Sequence, residues 1–306
     1  MVVLLTLSSA ARAQEPPPSP PGEGPEAPKP KPAPYSLPFQ LRPVAAGTVI
    51  RSDTAFAFYD SAGKSPSGST VATTLLGSYK VTPEFSPLVR VGMVSDSPPG
   101  ADSAVAFMNP VLGGIYGIKP SPETRLGLFL GVTIPIGSGG GNSPDLAKRA
   151  AMIAHGIPAR SAMDNAMFAM NYFTIFPGVG FAYVAHGLTV QVEATLLELI
   201  RTRGDNLDKE STRTNFTMGV HAGYFIIPQL SIGAELRHQR WLSTPAPVEA
   251  NPATRDTTTF AVGPRVHIQL SDTVWFRPGI AYARGIDKPM TTSDYNIVQL
   301  DLPFSF

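Results

Sequence analysis

Five histidines, at 155, 186, 221, 238 and 267, are the side chains of this 306-residue chain best suited to moving protons near neutral pH. Catalysis would need a nucleophile or a metal beside one of them. Neither the G-x-S-x-G serine turn nor the H-E-x-x-H zinc pattern occurs. Cysteine is absent, which excludes disulfides, thiolate metal sites and cysteine nucleophiles. Gly63-Lys64-Ser65 ends like a phosphate loop, but the glycine needed five residues before Gly63 is Phe58. Arg203-Gly204-Asp205 matches an integrin-binding tripeptide, too short to carry adhesion, and Asn215-Phe216-Thr217 matches a glycosylation acceptor inside an expected strand. The residues therefore predict no enzyme, no metal and no organic cofactor.

Charge with a period of two is what remains. Only 15% of the chain is charged, where about 25% is usual for soluble domains, and the net charge of +1 gives no pull towards nucleic acid. No apolar run approaches the roughly 18 residues of a membrane helix. Instead, Leu126, Leu128, Leu130, Val132, Ile134 and Ile136 alternate with Arg125, Gly127, Phe129, Gly131, Thr133 and Pro135. Leu188, Val190, Val192, Ala194 and Leu196 alternate in the same way. Such runs are strands with one apolar face, and they match the roughly 9–11 tilted residues that cross a bilayer. At Leu197 and Leu199 the apolar phase reverses around Glu198, which predicts a bulge near Leu196-Leu197 or the end of the embedded part.

The same reading gives twelve strands: 47–59, 69–81, 87–95, 105–118, 124–136, 171–184, 187–201, 212–226, 230–241, 257–270, 274–284 and 294–306. Short turns alternate with long polar loops at 60–68, 96–104, 137–170, 202–211, 242–256 and 285–293. An even strand count with this alternation predicts an all-β, transmembrane antiparallel up-and-down barrel with short periplasmic turns and longer extracellular loops. Phe56, Phe58, Phe173 and Tyr282 fall near the long-loop ends, and Tyr79, Tyr116, Tyr183, Tyr224, Phe276 and Phe304 near the short-turn ends, as two interfacial girdles. The competing architecture is a soluble β-sandwich, which would not need strands this long or paired girdles.

In the last strand Val298, Leu300, Leu302, Phe304 and Phe306 share one face, with Tyr295 at its start. This pattern resembles the terminal assembly signal of bacterial outer-membrane β-barrel proteins, of the porin-like or outer-membrane transporter type. The resemblance implies insertion by the barrel-assembly machinery into outer-membrane lipid, and it is silent on function. It extends to the first residues. The apolar run Val2 to Leu7, followed by Ala11-Arg12-Ala13, reads as an export signal over 1–13, although no basic stretch precedes it. Residues 14–34 are Pro-rich and read as a semi-rigid periplasmic linker, with peptidoglycan or a periplasmic partner as a further possibility. The barrel occupies 35–306.

With the apolar positions facing lipid, the alternate positions place Arg51, Arg90, Arg125, Arg213, Arg237, Arg265 and Arg277 in the lumen, against Asp53, Glu193, Glu235 and Asp301. His221 and His267 share that parity. No histidine begins the His-x-Ser pattern shown by outer-membrane phospholipases, no nucleophile is recognisable beside either, and a hydrogen-bonding role is expected of both. Seven arginines against four acids predict a narrow pore with a modest anion preference, or mutual pairing that fills it. The 137–170 loop opens on glycines. It then predicts a helix capped by Ser143 or Asp145 through Ala154, and a second started by Ser161 that carries Met163, Met167 and Met170. Its Met-rich face is read as a gate over or inside the lumen, or as ordinary packing on the rim. Residues 35–46 plug the short-turn mouth or lie along its rim. The leading expectation is an outer-membrane channel or uptake barrel for a small solute; the alternatives are a structural or surface-interaction barrel with a filled lumen and, third, an outer-membrane hydrolase.

Overall fold

The computed structural model describes residues 35–61, 64–205 and 210–306. The export signal and Pro-rich linker read from the sequence lie outside the described residues, as does the tip of the first hairpin.

Alternating side chains build the wall. Fifteen strand segments run antiparallel in chain order: β1 (Val49–Ser61), β2 (Lys64–Ser78), β3 (Phe85–Ser97), β4 (Ala104–Phe107), β5 (Val111–Ile118), β6 (Thr124–Thr133), β7 (Tyr172–Ala185) and β8 (Leu188–Arg201). They continue as β9 (Thr212–Ile227), β10 (Leu230–Trp241), β11 (Asp256–Val266), β12 (Ile268–Gln269), β13 (Trp275–Phe276), β14 (Gly279–Gly285) and β15 (Asn296–Ser305). The pairs β4/β5, β11/β12 and β13/β14 are each one stave broken in two, so the wall has twelve staves. β15 pairs with β1 from Val49↔Ser305 to Phe58↔Asn296, which closes the sheet and leaves no edge.

Facing is set by the pleat. Outward positions such as Ile50, Leu75, Leu130, Val192, Leu236 and Ile280 expose bare aliphatic groups all round the wall, while inward positions carry arginines, carboxylates and amides. A soluble protein would bury that belt, and the girdle residues Phe58, Tyr79, Tyr116, Tyr183, Tyr224 and Tyr282 stand outward at its two margins. The barrel is therefore transmembrane. No helix of the described residues is long and apolar enough to cross a membrane.

Several local expectations need correction. There is no bulge at Leu196-Leu197, because β8 keeps one register with β9 from Leu188↔Tyr224 to Ile200↔Thr212. Leu197 and Leu199 instead face inward and are buried against the inner loop. The 60–68 loop is largely strand, since β1 runs to Ser61 and β2 begins at Lys64. The β7–β8 ladder skips Phe176 and Pro177, where proline has no N–H to donate.

Candidate functional site: a lumen closed by two inner segments

Every lumen position read from the sequence has inward parity, but the space between the walls is occupied. Residues 35–46 thread the short-turn half. The long connection after β6 folds into the long-loop half as Leu146–Ala150, a wider helical turn Ala151–Gly156, the turn Ile157–Ala159 and a short helix Asn165–Phe168. The two meet where Gln40 Nε2 donates to the Arg160 carbonyl at 2.7 Å.

The 35–46 segment is held through its backbone. Glu235 accepts from the Phe39 N–H and, at 3.3–3.4 Å, from the Gln40 N–H. Glu193 accepts from the Arg42 N–H at 2.8 Å, and Thr189 Oγ1 from the Ser36 N–H at 2.9 Å. From the other side Arg51 and Arg265 both bind Asp301, at 2.6 and 2.5 Å; Arg51 Nη2 also donates to the Pro38 and Phe39 carbonyls, Arg265 Nε and Nη2 to those of Leu37 and Pro38, and Arg265 Nη1 to the Arg277 carbonyl of the wall. Three glycines make room. A Cβ at Gly219 would lie 2.4 Å from Leu41 Cδ2, one at Gly223 2.2 Å from Ser36 Oγ, and one at Gly180 2.9 Å from Val44 Cγ2. Phe39, Leu41 and Val44 are buried as a result.

The inner loop is held by charges of its own. Arg160, fully buried, forks onto Asp53 with two bonds of 2.7 Å and reaches Asp164 at 2.9 Å. Asp164 also pairs with Arg90 at 2.5 Å. Burial would raise the Asp164 carboxyl, but Arg90 and Arg160 outweigh it and hold it well below the usual carboxylate range. Burial likewise opposes the charge on Arg160, and Asp53 and Asp164 drive its pKa up regardless. Towards the outer mouth His155 Nδ1 meets Asp96 Oδ2 at 2.6 Å and stacks on Tyr59 at 4.7 Å. Apolar packing completes the seat, with Met152, Met167, Phe168 and Met170 buried in one cluster with Leu197 and Leu199.

The predicted site residues now have definite surroundings. Arg51, Asp53, Arg90, Glu193, Glu235, Arg237, Arg265 and Asp301 all belong to ion pairs, Arg237 with Glu235 at 2.6 Å and Glu193 with Arg42 at 3.5 Å. Arg125 lies over Tyr35 at 5.0 Å, Arg277 over Trp275 at 5.2 Å, and Arg213 binds Glu210 and lies over Tyr172 at 4.7 Å. Among the candidate gate residues Met167 and Met170 are buried, while Met163 is half-buried and outside any helix. Asp145 is the cap, accepting from the Lys148 N–H at 3.1 Å, and the helical stretch runs on to Ala159 rather than stopping at Ala154. Ser161 caps nothing: with Ala162 it adopts positive φ, and it contacts Arg237 Nη1 at 3.2 Å. Tyr295 departs from the terminal-strand face. It points inward and stacks on Tyr59 at 4.9 Å, while Val298, Leu300, Leu302 and Phe304 keep the outward parity.

Sequence reasoning missed Arg160, Asp164 and Asp96 because no strand parity applies within a loop, and Asp96 lay in what was read as one. It also missed a neighbour of His267: Ser231 Oγ lies 2.9 Å from His267 Nε2. This pair is buried beneath Ser36, whose hydroxyl reaches Ser231 at 3.3 Å, and among the described residues no carboxylate orients the imidazole. His221 is fully buried, 3.5 Å from Glu235. Both histidines are parts of a packed lumen.

No family model and no curated protein matches the chain. Among solved structures it is similar to the NanC porin, with TM-score 0.47, 8% identity and coverage of 83% of this chain and 98% of that one. It is similar also to the KdgM porin in complex with disordered oligogalacturonate, at TM-score 0.47, 11% identity and coverage of 84% and 99%. A Pseudomonas aeruginosa FadL homologue follows at TM-score 0.40, 9% identity and coverage of 85% and 90%. Likenesses this distant add nothing to what the strand pairing itself establishes.

Proposed function

We propose that this protein is a bacterial outer-membrane barrel that admits a small solute through a lumen gated by its inner loop. The observation that carries the reading is the mode of closure. The loop that blocks the long-loop half is fastened by its own Arg160 and Asp164 to wall residues Asp53 and Arg90, and a segment held by discrete side-chain pairs can leave without disturbing the strand ladders. At the inward positions of the described staves eight arginines, Arg201 among them, stand against five acids, Asp96 among them, so the open form prefers anions modestly. The outward apolar face of β15 supports insertion by the barrel-assembly machinery.

Replacing residues 143–166 with a short Gly-Ser linker in the full chain tests this. Liposomes carrying that variant should swell in small sugars and salts far faster than liposomes carrying the parent, with a reversal potential displaced towards the anion. A loop-deleted barrel as impermeable as the parent would overturn the gate. It would favour a structural barrel with a filled lumen, the reading that the contact between Gln40 and Arg160 supports.

A further inference from the structure

Where the inner loop meets the outer loops it leaves a cavity of about 360 Å³ at the long-loop end of the barrel. That lies within the range of about 300–1,000 Å³ typical of small-molecule sites. Its walls are mainly apolar, with Ile153, Ile157 and Phe168 from the loop and Leu199 and Trp241 from the barrel wall. The charged groups on the lining offer little to an ion. Glu210 accepts from Arg213 and from the Ala246 N–H, and Arg213 lies over Tyr172. Arg201 is engaged, in part by the Asp205 carbonyl, and Arg149 stands exposed to solvent.

The polar group left over is neutral. Asn165, only 3% exposed, also lines the cavity. Its Nδ2 donates to Asn215 Oδ1 at 3.2 Å and to Gln239 Oε1 at 3.3 Å. Both acceptors are fixed in place, because Asn215 Nδ2 donates to the Arg240 carbonyl and Gln239 Nε2 to the Arg255 carbonyl, and a carbonyl can only accept. Turning the Asn165 amide over would set oxygen against oxygen. Its Oδ1 therefore faces away from the network, and it has no hydrogen-bond partner. Buried acceptors are seldom left unmet. An apolar chamber bounded by one unmet acceptor suits a neutral molecule with an apolar body and a hydroxyl to donate.

We propose that this cavity binds a small neutral alcohol, its hydrocarbon body against Ile157, Phe168 and Trp241 and its hydroxyl donating to Asn165 Oδ1. The two long bonds of Asn165 Nδ2 allow the slight turn that brings Oδ1 to the chamber. Such a molecule touches loop and wall at once, so its binding stabilises the closed loop by mass action.

The test uses the full chain carrying Trp275→Phe, which leaves Trp241 as the sole tryptophan, in nanodiscs of neutral phosphatidylcholine. The probes are 1-octanol and its isomer 1-methoxyheptane, which has a similar body but no donor. Octanol should change Trp241 fluorescence saturably at free concentrations about fivefold below those needed with the ether, the ratio expected of one neutral hydrogen bond. Octanoate should bind no better than octanol, and octanol should slow amide exchange across 151–168. Asn165→Leu should bring octanol and the ether level. Ala154→Phe, at an exposed position on the lining, should abolish saturation by both, and it decides the site even where the Asn165 variant fails to fold. Equal concentrations of the two probes in the parent, tighter binding of octanoate than of octanol, or saturation that survives Ala154→Phe would overturn the proposal.

Discussion

The two segments that fill the lumen are held by different balances of backbone and side-chain contacts. Residues 35–46 contribute mainly backbone: wall carboxylates accept their N–H groups, wall arginines bind their carbonyls, and wall glycines leave the space they occupy, with the Arg42–Glu193 pair as their side-chain tie to the wall. The inner loop contributes mainly side chains, with Arg160, Asp164 and His155 paired to Asp53, Arg90 and Asp96, beside the Met167 and Ala169 carbonyls that accept from Asn109 at 2.8 Å. Backbone contacts in a fitted groove answer to shape, whereas charge pairs in a low-dielectric lumen answer to protonation and to the loss of either partner. The first segment therefore behaves as part of the wall and the second as a latch.

The largest way to sharpen this contrast is Arg160→Ala. It leaves Asp53 buried without that cation, and breaking a buried pair costs about 3–5 kcal/mol. Amide exchange across 151–168 should accelerate by orders of magnitude while the strands and residues 35–46 stay protected; equal protection throughout would abolish the contrast. Gly219→Val comes next, because its side chain must displace Leu41, and overpacking of this kind costs about 1–3 kcal/mol. The chain has no cysteine, so Ser36→Cys supplies a single thiol. It should react with a maleimide much faster in the Gly219→Val background than alone.

Acid should separate the segments more gently. Since Asp164 is held below the ordinary carboxylate value of about 3.9, its stabilisation is fully present above that value and is lost only as pH falls through its own lower one. Corrected for the intrinsic pH dependence of amide exchange, loop protection should owe no loss to Asp164 from pH 7 to about pH 4 and should fall below it. Loss of protection already at pH 6 would assign the acid response to a group other than Asp164. Smallest of all is Arg240→Ala. Arg240 pairs with Asp256 at 3.2 Å on the exposed surface, and such pairs contribute about 0–1 kcal/mol. Exchange in both segments should not change.

The wall was legible in the sequence because a period of two is a local signal, and the arginines of β1, β3, β10 and β11 lie among its ion pairs. Apolar patterning misled at Leu197 and Leu199. Their inward side chains meet another apolar surface, the loop's methionines, so what read as a slip in phase is a patch of inner core. The pairing of Arg160 with Asp53 spans more than a hundred residues, and no periodicity reports it. Nor did the apparent excess of lumen arginines foretell that backbone carbonyls and Asp164 would absorb much of it. Gly219 and Gly223, inward in alternation with Thr217 and His221, did carry a signal: bare inward positions in a charged wall mark the path of a second chain segment.

Single-channel recording in a planar bilayer tests the latch most directly, with the parent and Arg160→Ala compared under identical salt. The account predicts a parent that is closed with at most brief openings, and a variant that conducts more often and with modest anion selectivity, its conductance limited by residues 35–46 in the short-turn half. A variant as silent as the parent, or a parent that conducts continuously, would contradict it.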